Sequence, residues 1–302
     1  MMLSVKSKTR PKLRAAGHAW QFDAIGTKWW ISLFEAIDDA RLASIRRDVH
    51  KRIESFDKTY SRFRPDSLVT KMSQKAGKYR LPADSGVLFA LYKALYDATD
   101  GAVTPLIGDL LIAAGYDAEY SLEPKELQTP PAWDEAISYG HNVLTVKRPA
   151  MLDFGAAGKG YLVDLVARVL KAHGLTGFCI DAGGDMLVRG RADMRIGLEH
   201  PDNPEQVIGI ATLANQAIAG SAGNRRAWAG YHHILDPYKL ASPVAVKAAW
   251  VAADSALLAD GLATALFFVA PEVLRRQFAF EYLLINSENK YKCSPGFPAE
   301  LF

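Results

Sequence analysis

The chain has 302 residues, 49% of them hydrophobic and 23% charged, and its 36 Lys and Arg against 33 Asp and Glu leave a formal net charge of +3. This composition excludes a disordered or collagen-like chain, and basic residues scattered without a stripe exclude a nucleic-acid footprint. Two cysteines, Cys179 and Cys293, are too few for a disulfide framework and form no C-x-x-C pair, which fits a reducing cytoplasm.

Lys6, Lys8, Arg10, Lys12 and Arg14 open the chain. No apolar core of about 7 to 15 residues follows them, so no secretory signal is expected. Residues 1–19 read as a solvated arm, and residues 20–302 are long enough for about two domains or one large α/β unit. "KWWISLF" (28–34) predicts a strand, and Leu42, Ile45, Val49 and Ile53 predict a helix at 3.6-residue spacing. "RPDS" (64–67) is turn chemistry. A further helix, capped by Asp84 or Ser85, stops near Gly101. Segment 117–150, rich in proline and acids, reads as a surface excursion, with a hairpin around "VLTVKRPAMLDFG" entering a glycine turn. A helix from about Tyr161 to His173 carries Leu162, Leu165, Val166, Val169 and Leu170 on one stripe and ends at Gly174. Strands follow in "GFCIDAGGDMLVRG", "MRIGLE" and "FEYLLIN". Hairpins mixed with helices predict an α+β fold with mixed sheets and packed helices, not a doubly wound sheet.

"VAADSALLADGLATALFFVA" (251–270) is apolar enough to suggest a membrane span. An aspartate at its centre costs roughly 2.5–3.5 kcal/mol on insertion scales, so a buried helix is expected instead and no span. Asp260 and Thr264, four apart, share a face, with Gly261 clearing space beside them; this suits a cation. The plainer alternative has Asp254 as N-cap, Asp260 paired to a Lys or Arg, and Thr264 bonded to its own turn.

"DFGAAGKGYLVD" (153–164) places free backbone N–H groups and Lys159 at a helix start, which suits a phosphate or serves as a tight turn. Gly155 and Gly158 are three apart and Gly160 follows Lys159, so it is neither a Walker A loop nor a dinucleotide fingerprint. Ser221 in "AIAGSAG" lacks the glycine that a nucleophile elbow needs at 219. In "YHHILDP", His233 and Asp236 suit base or ligand work, or a turn at Asp236-Pro237. Neither cysteine lies at zinc spacing from His232 or His233. Phe63 in "YSRFRPDS" serves as a stacking ring or a loop anchor. Asp181 and Asp185 flank two glycines at a strand end, which suits a ligand-facing turn or a simple hairpin turn.

The order of these blocks, "AIGTKW", "YSRFRPDS", "DFGAAGKGYLVD", "IDAGGDM", "IGLEHPDNP", "AIAGSAG", "HHILDP" and "ADGLATAL", resembles the ApbE family of FAD:protein FMN transferases from about residue 20 to 270. The resemblance implies one large domain with two lobes. It implies magnesium held by Asp260, Thr264 and the Ala156 carbonyl, and FAD, as substrate, held by Ile25, Phe63, Ala102, Val103, Thr104, Asp153, Lys159 and Ile234. It further implies transfer of FMN to a threonine hydroxyl of an acceptor flavoprotein, with AMP released. His233 is the favoured base, with Asp153 and Asp181 as competitors. Two other activities are consistent with the same residues: magnesium-dependent FAD hydrolysis to FMN and AMP, and FAD binding without catalysis. Departures from the family pattern, Ile25 for methionine, "GAVTP", the flanks of Ser221 and "DPYKLASP", gather at the flavin and acceptor edges.

Overall fold

Segments dense in β-branched, aromatic and small residues pair into one large sheet, and that sheet carries the rest of the molecule. The structure, a computed structural model, describes residues 17–190, 194–224 and 226–302. Among these, eight strands form a sheet whose spatial order is their chain order: β1 (His18–Ala24), β2 (Thr27–Leu33), β3 (Phe178–Ala182), β4 (Met186–Arg189), β5 (Ala217–Ala222), β6 (Val246–Ala253), β7 (Glu281–Asn286) and β8 (Tyr291–Cys293). Every neighbouring pair is antiparallel. Leu33 of β2 pairs with Phe178 of β3, so a long, largely helical insertion leaves and rejoins the sheet at one place.

The two-residue period of the strands splits their side chains between two cores. Ile31, Ile180, Leu187, Ala219 and Val251 face the helices. Cys179, Val188, Ile218, Ala252 and Leu283 face the other way, where a three-stranded sheet (Met194–His200, Asn203–Leu213, Ala299–Leu301) covers them with Met194, Leu198, Ala211 and Leu213. The α+β class expected from the sequence is therefore present as three layers: helices, large sheet, small sheet.

Four helices form the first layer: α1 (Asp39–Tyr60), α2 (Gly86–Ala98), α3 (Gly158–Ala172) and α4 (Ala256–Ala265). Helix α1 buries Leu42, Ile45, Val49 and Ile53 as their spacing predicts, and Asp38 caps it by accepting from Arg41 N at 2.7 Å. Helix α3 begins at Gly158, three residues before the expected start, because the glycine turn winds directly into it; Gly174 follows its end. At α4 the cap is Ser255, not Asp254: the Ser255 hydroxyl accepts from Leu258 N at 3.2 Å, while Asp254 offers its carbonyl to Arg189. The Asp164 carboxylate of α3 takes the Ala256 and Leu257 N–H groups at 3.1 and 2.9 Å, so α3 supplies the negative charge that the start of α4 favours. Gly261 clears space for α2, not for a ligand; a Cβ there would lie 3.0 Å from Leu91.

Two sequence expectations need adjustment. Residues 1–16 of the expected arm lie outside the described residues, and His18 and Ala19 already belong to β1. Within 117–150, residues 121–132 carry no regular element, but Ile137–Gly140 and Val143–Val146 form a hairpin joined by Gly77–Arg80. Ser85 sits at the α2 cap position with its hydroxyl 2.9 Å from that of Tyr139, and Asp84 ion-pairs with Arg52.

Helices α3 and α4 meet at Gly160, where a Cβ would collide with the Ala256 carbonyl and lie 2.7 Å from Asp260 Cβ. Gly160→Ala is therefore expected to force the helices apart and cost about 1–3 kcal/mol, the range for an overpacked contact. Denaturant unfolding of the two proteins side by side measures it; equal midpoints would show that the crossing tolerates a methyl group.

Candidate active site

The closeness of α3 and α4 at Gly160 brings the first turn of one helix against the middle of the other. Gly160 N donates to Asp260 Oδ2 at 2.9 Å. Lys159, one residue earlier, aims its ammonium at two carboxylates: it ion-pairs with Asp185, and Asp260 Oδ1 lies 3.6 Å away. Asp185 is 1% and Asp260 3% exposed, so both charges are removed from water. Burial pushes the Asp260 carboxyl up to about 7; the Asp185 charge adds to this and Lys159 opposes it. Burial works against the Lys159 ammonium, but the two carboxylates outweigh it and raise its pKa.

One turn after Asp260, Thr264 Oγ1 lies 3.3 Å from the Ala156 carbonyl oxygen and 3.4 Å from Ser221 Oγ near the end of β5. Thr264 thus turns outward to other elements and not back onto its own helix. Carboxylate, hydroxyl and carbonyl are all hard oxygen donors. A small ion with ligands at about 2.0–2.1 Å has neighbouring ligands about 2.9 Å apart, close to the Thr264–Ala156 spacing. Among the described residues no cluster of three or more His, Cys, Asp or Glu is placed to hold a metal. A cation here would therefore rest on one carboxylate, neutral oxygens, water and ligand, a set that suits magnesium better than zinc.

These groups line a cavity of about 200 Å³ together with Phe63, Ala102, Val103, Thr104, Asp153, His233 and Ile234. A larger cavity, about 750 Å³, lies between the two sheets and shares Thr27, Gly183, Gly220, Ser221 and Ala222 with the first. Joined, they reach the upper part of the roughly 300–1,000 Å³ range of ligand clefts.

Phe63 is both ring and anchor: it stacks on Tyr120 (centroids 5.5 Å, planes 8° apart) and meets Tyr116 edge-on. Beneath it Arg62 is buried, its guanidinium 4.1 Å from the Phe63 centroid and 4.8 Å from that of Tyr116. Arg62 Nε donates to Asp153 Oδ2 at 2.6 Å, and Gly155 N donates to the other carboxylate oxygen at 2.7 Å. Asp153 is therefore locked in place by both ends of its carboxylate. Residues 102–104 are fixed by the end of α2, where Val103 N donates to Thr99 Oγ1 at 2.9 Å, and Thr104 caps the short helix that follows.

The two histidines divide their roles. His232 is structural: its Nε2 lies 3.0 Å from the Pro243 carbonyl, Ile234 N donates to its Nδ1, and burial lowers its pKa. His233 lines the cavity. Asp236 forms the turn, accepting from Tyr238 and Lys239 N at 3.0 Å. Arg226, also on the wall, donates to the Tyr116 hydroxyl at 2.7 Å.

Of the residues expected from the sequence, Phe63, 102–104, Asp153, Ala156, Lys159, His233, Ile234, Asp260 and Thr264 surround one cavity. Ile25 does not line it; it lies in the β1–β2 turn with φ 43°, packed against the core, and its neighbour Thr27 reaches the cavity instead. Asp181 lines only the larger cavity and accepts from Gly184 N at 2.9 Å. Arg62 and Arg226 were not singled out by sequence reasoning, and Asp185 was read only as an acid of a glycine turn, without its partner Lys159. The signal for Asp185 was present, an acid just past two glycines; Arg62 and Arg226 carried none beyond their charge.

A family model described as the ApbE family matches residues 25–281. The chain belongs to the ApbE family. Among relatives, the FAD:protein FMN transferase of Salmonella typhimurium is 24% identical over 305 residues, covering 90% of this chain and 86% of that protein. The one from Treponema pallidum is 25% identical over 308 residues, covering 90% and 85%. Two solved structures share the fold. The flavin transferase ApbE from Vibrio cholerae has a TM-score of 0.79 at 21% identity, over 94% of this chain and 99% of that one. The ApbE protein from Thermotoga maritima has a TM-score of 0.79 at 23% identity, over 94% and 100%.

Within this ApbE-family site the Arg62–Asp153 pair is buried on both sides, 2% and 12% side-chain exposure. Removing one member strands the other charge, at about 3–5 kcal/mol. Arg62→Leu is expected to lower unfolding free energy by about that amount, and Asp153→Asn added to it should recover part; an additive double variant would argue against the pairing.

Asp260 also sets a pH dependence. Burial raises its folded pKa above the ordinary carboxylate value, so its contribution to stability is fully present below that ordinary value and is lost as pH rises toward about 7. Without divalent ions, wild-type stability relative to Asp260→Asn should fall across that window. A pH series of thermal melts on both proteins would reveal a flat difference if Asp260 were not raised.

Proposed function

We propose that this protein transfers FMN from FAD to a threonine hydroxyl of an acceptor flavoprotein and releases AMP. The observation that supports this reading is the meeting of an ammonium, a carboxylate, a hydroxyl and a carbonyl at the start of α3, in a cavity that His233 also lines. The relatives from Salmonella typhimurium and Treponema pallidum are FAD:protein FMN transferases, the same reaction class.

In this reading Asp260, Thr264 and the Ala156 carbonyl would hold magnesium, which would supply positive charge to the pyrophosphate oxygens. Lys159 places its ammonium on the same group, and the positive end of the α3 dipole adds to the field. Phe63 lines the flavin end of the cavity, and Asp153 and residues 102–104 fix the flavin's orientation along its wall. The larger cavity gives the remainder of the dinucleotide room beyond the shared neck. His233 takes the proton of the acceptor hydroxyl as its oxygen bonds to the FMN-side phosphorus. The bond from that phosphorus to the bridging oxygen breaks, and AMP leaves with the oxygen and the electron pair, so atoms and charge balance. Two free cysteines accord with a cytoplasmic setting.

Incubation with FAD, magnesium and threonine-bearing flavoprotein acceptors tests the proposal. The expected result is slow AMP release alone, faster release with acceptor, and the mass of FMN on a threonine. Rapid acceptor-independent release of AMP and FMN would make the protein a pyrophosphatase; FAD left intact throughout would make it a binding protein. Lys159→Met is expected to weaken FAD binding by about 1.5–3 kcal/mol, the scale of a charged hydrogen bond, in a flavin fluorescence titration.

A further inference from the structure

One ammonium serves two buried carboxylates in this site, and it does not serve them equally. Lys159 is drawn onto Asp185, while Asp260 Oδ1 is left at 3.6 Å, beyond hydrogen-bond range. The other oxygen of Asp260 is occupied by Gly160 N–H. Oδ1 is therefore the carboxylate oxygen that Gly160 does not take, on a residue that lines the same cavity as Thr264 and Ala156. A lysine this close to a buried carboxylate would ordinarily close onto it, because an ion pair left open away from water is costly to both charges.

The backbone is built to prevent that. Asp185 follows Gly183 and Gly184, both in the left-handed region at φ 74° and 110°, where a side chain is strained. A Cβ on Gly183 would also collide with Thr27 Oγ1. The turn is tied by Ala182 N donating to the Asp185 carbonyl at 2.9 Å and by Gly184 N donating to Asp181. It delivers an acid, 1% exposed, from the large sheet to the ammonium on α3.

We propose that Asp185 is a positioning residue that holds Lys159 off Asp260, so that Asp260 stays open to a divalent cation. This rests on the cation reading of the Asp260–Thr264–Ala156 cluster given above. Lysine and metal are rivals for Oδ1, and Asp185 decides the contest in favour of the metal. The opposite signs of two substitutions follow. Asp185→Asn frees Lys159 to settle on Asp260 and weakens metal binding. Lys159→Met removes the rival, leaves two buried carboxylates without a cation, and tightens it.

Titration of Mn²⁺ into FAD-free protein at about pH 8, followed by the loss of the free-ion EPR signal, reads this without turnover. Wild type is expected to bind one ion, Asp185→Asn to bind about tenfold or more weakly, and Lys159→Met more tightly than wild type. In the double variant Lys159→Met should rescue the loss caused by Asp185→Asn, which general damage to the turn would not allow. Equal affinity of Asp185→Asn and wild type, or no rescue, overturns the inference and leaves the cation reading standing. Absence of binding by wild type removes both. Should Asp185→Asn fail to fold, Lys159→Met alone decides: tighter binding supports the inference, and equal or weaker binding overturns it.

Discussion

The contact on which the site depends is the crossing of α3 and α4 at Gly160. Without a side chain there, the Gly160 N–H in the first turn of α3 comes within hydrogen-bond range of a carboxylate in the middle of α4. That places Lys159, Asp260, Thr264 and the turn before α3 in one small volume. Asp164 secures the same crossing from the other side by holding the start of α4. A charged cluster this well buried survives only because each member has a partner within the two helices or the adjoining turn.

The large sheet then decides what surrounds the cluster. Strand β5 brings Ser221, one residue before its end, beside Thr264, and the β3–β4 turn brings Asp185 to Lys159. The insertion between β2 and β3 supplies the opposite wall: Arg62 and Phe63 at the end of α1, residues 102–104 after α2, and Asp153 before α3. Arg62 joins these pieces, since it touches Phe63 and Tyr116 through its face and Asp153 through its edge. One wall is thus made of sheet ends and the other of helix ends.

Much of this was legible in the sequence, for identifiable reasons. The stripe of α1 and the spacing of Asp260 and Thr264 are short-range patterns, and periodicity reads them directly. The glycine turn announced a helix start, though not that Gly160 would serve as a contact surface between helices. What stayed hidden was partnership across long separations. Nothing near Asp185 names Lys159, and nothing near Arg62 names Asp153. Ser255 and Asp254 illustrate a local limit: both are good caps, and the choice fell to Ser255 while the Asp254 carbonyl went to Arg189. The strand in "VLTVKRPAMLDFG" was read, but its hairpin partner is Ile137–Gly140 before it and not the run after it, and the polar, proline-rich stretch in front obscured that strand.

The pairing of Leu33 with Phe178 has a consequence for how the molecule can change. Both ends of the helical insertion are pinned side by side by the sheet, so its contour length is a loop closed once. Closure entropy rises only with the logarithm of length, about 0.6 kcal/mol per doubling. The wall carrying Phe63, residues 102–104 and Asp153 can therefore be lengthened or rebuilt at small thermodynamic cost, while α4 and β5 remain as they are. The expense falls on kinetics: β2 and β3 must find each other across the whole insertion, a non-local pairing of the kind that slows folding.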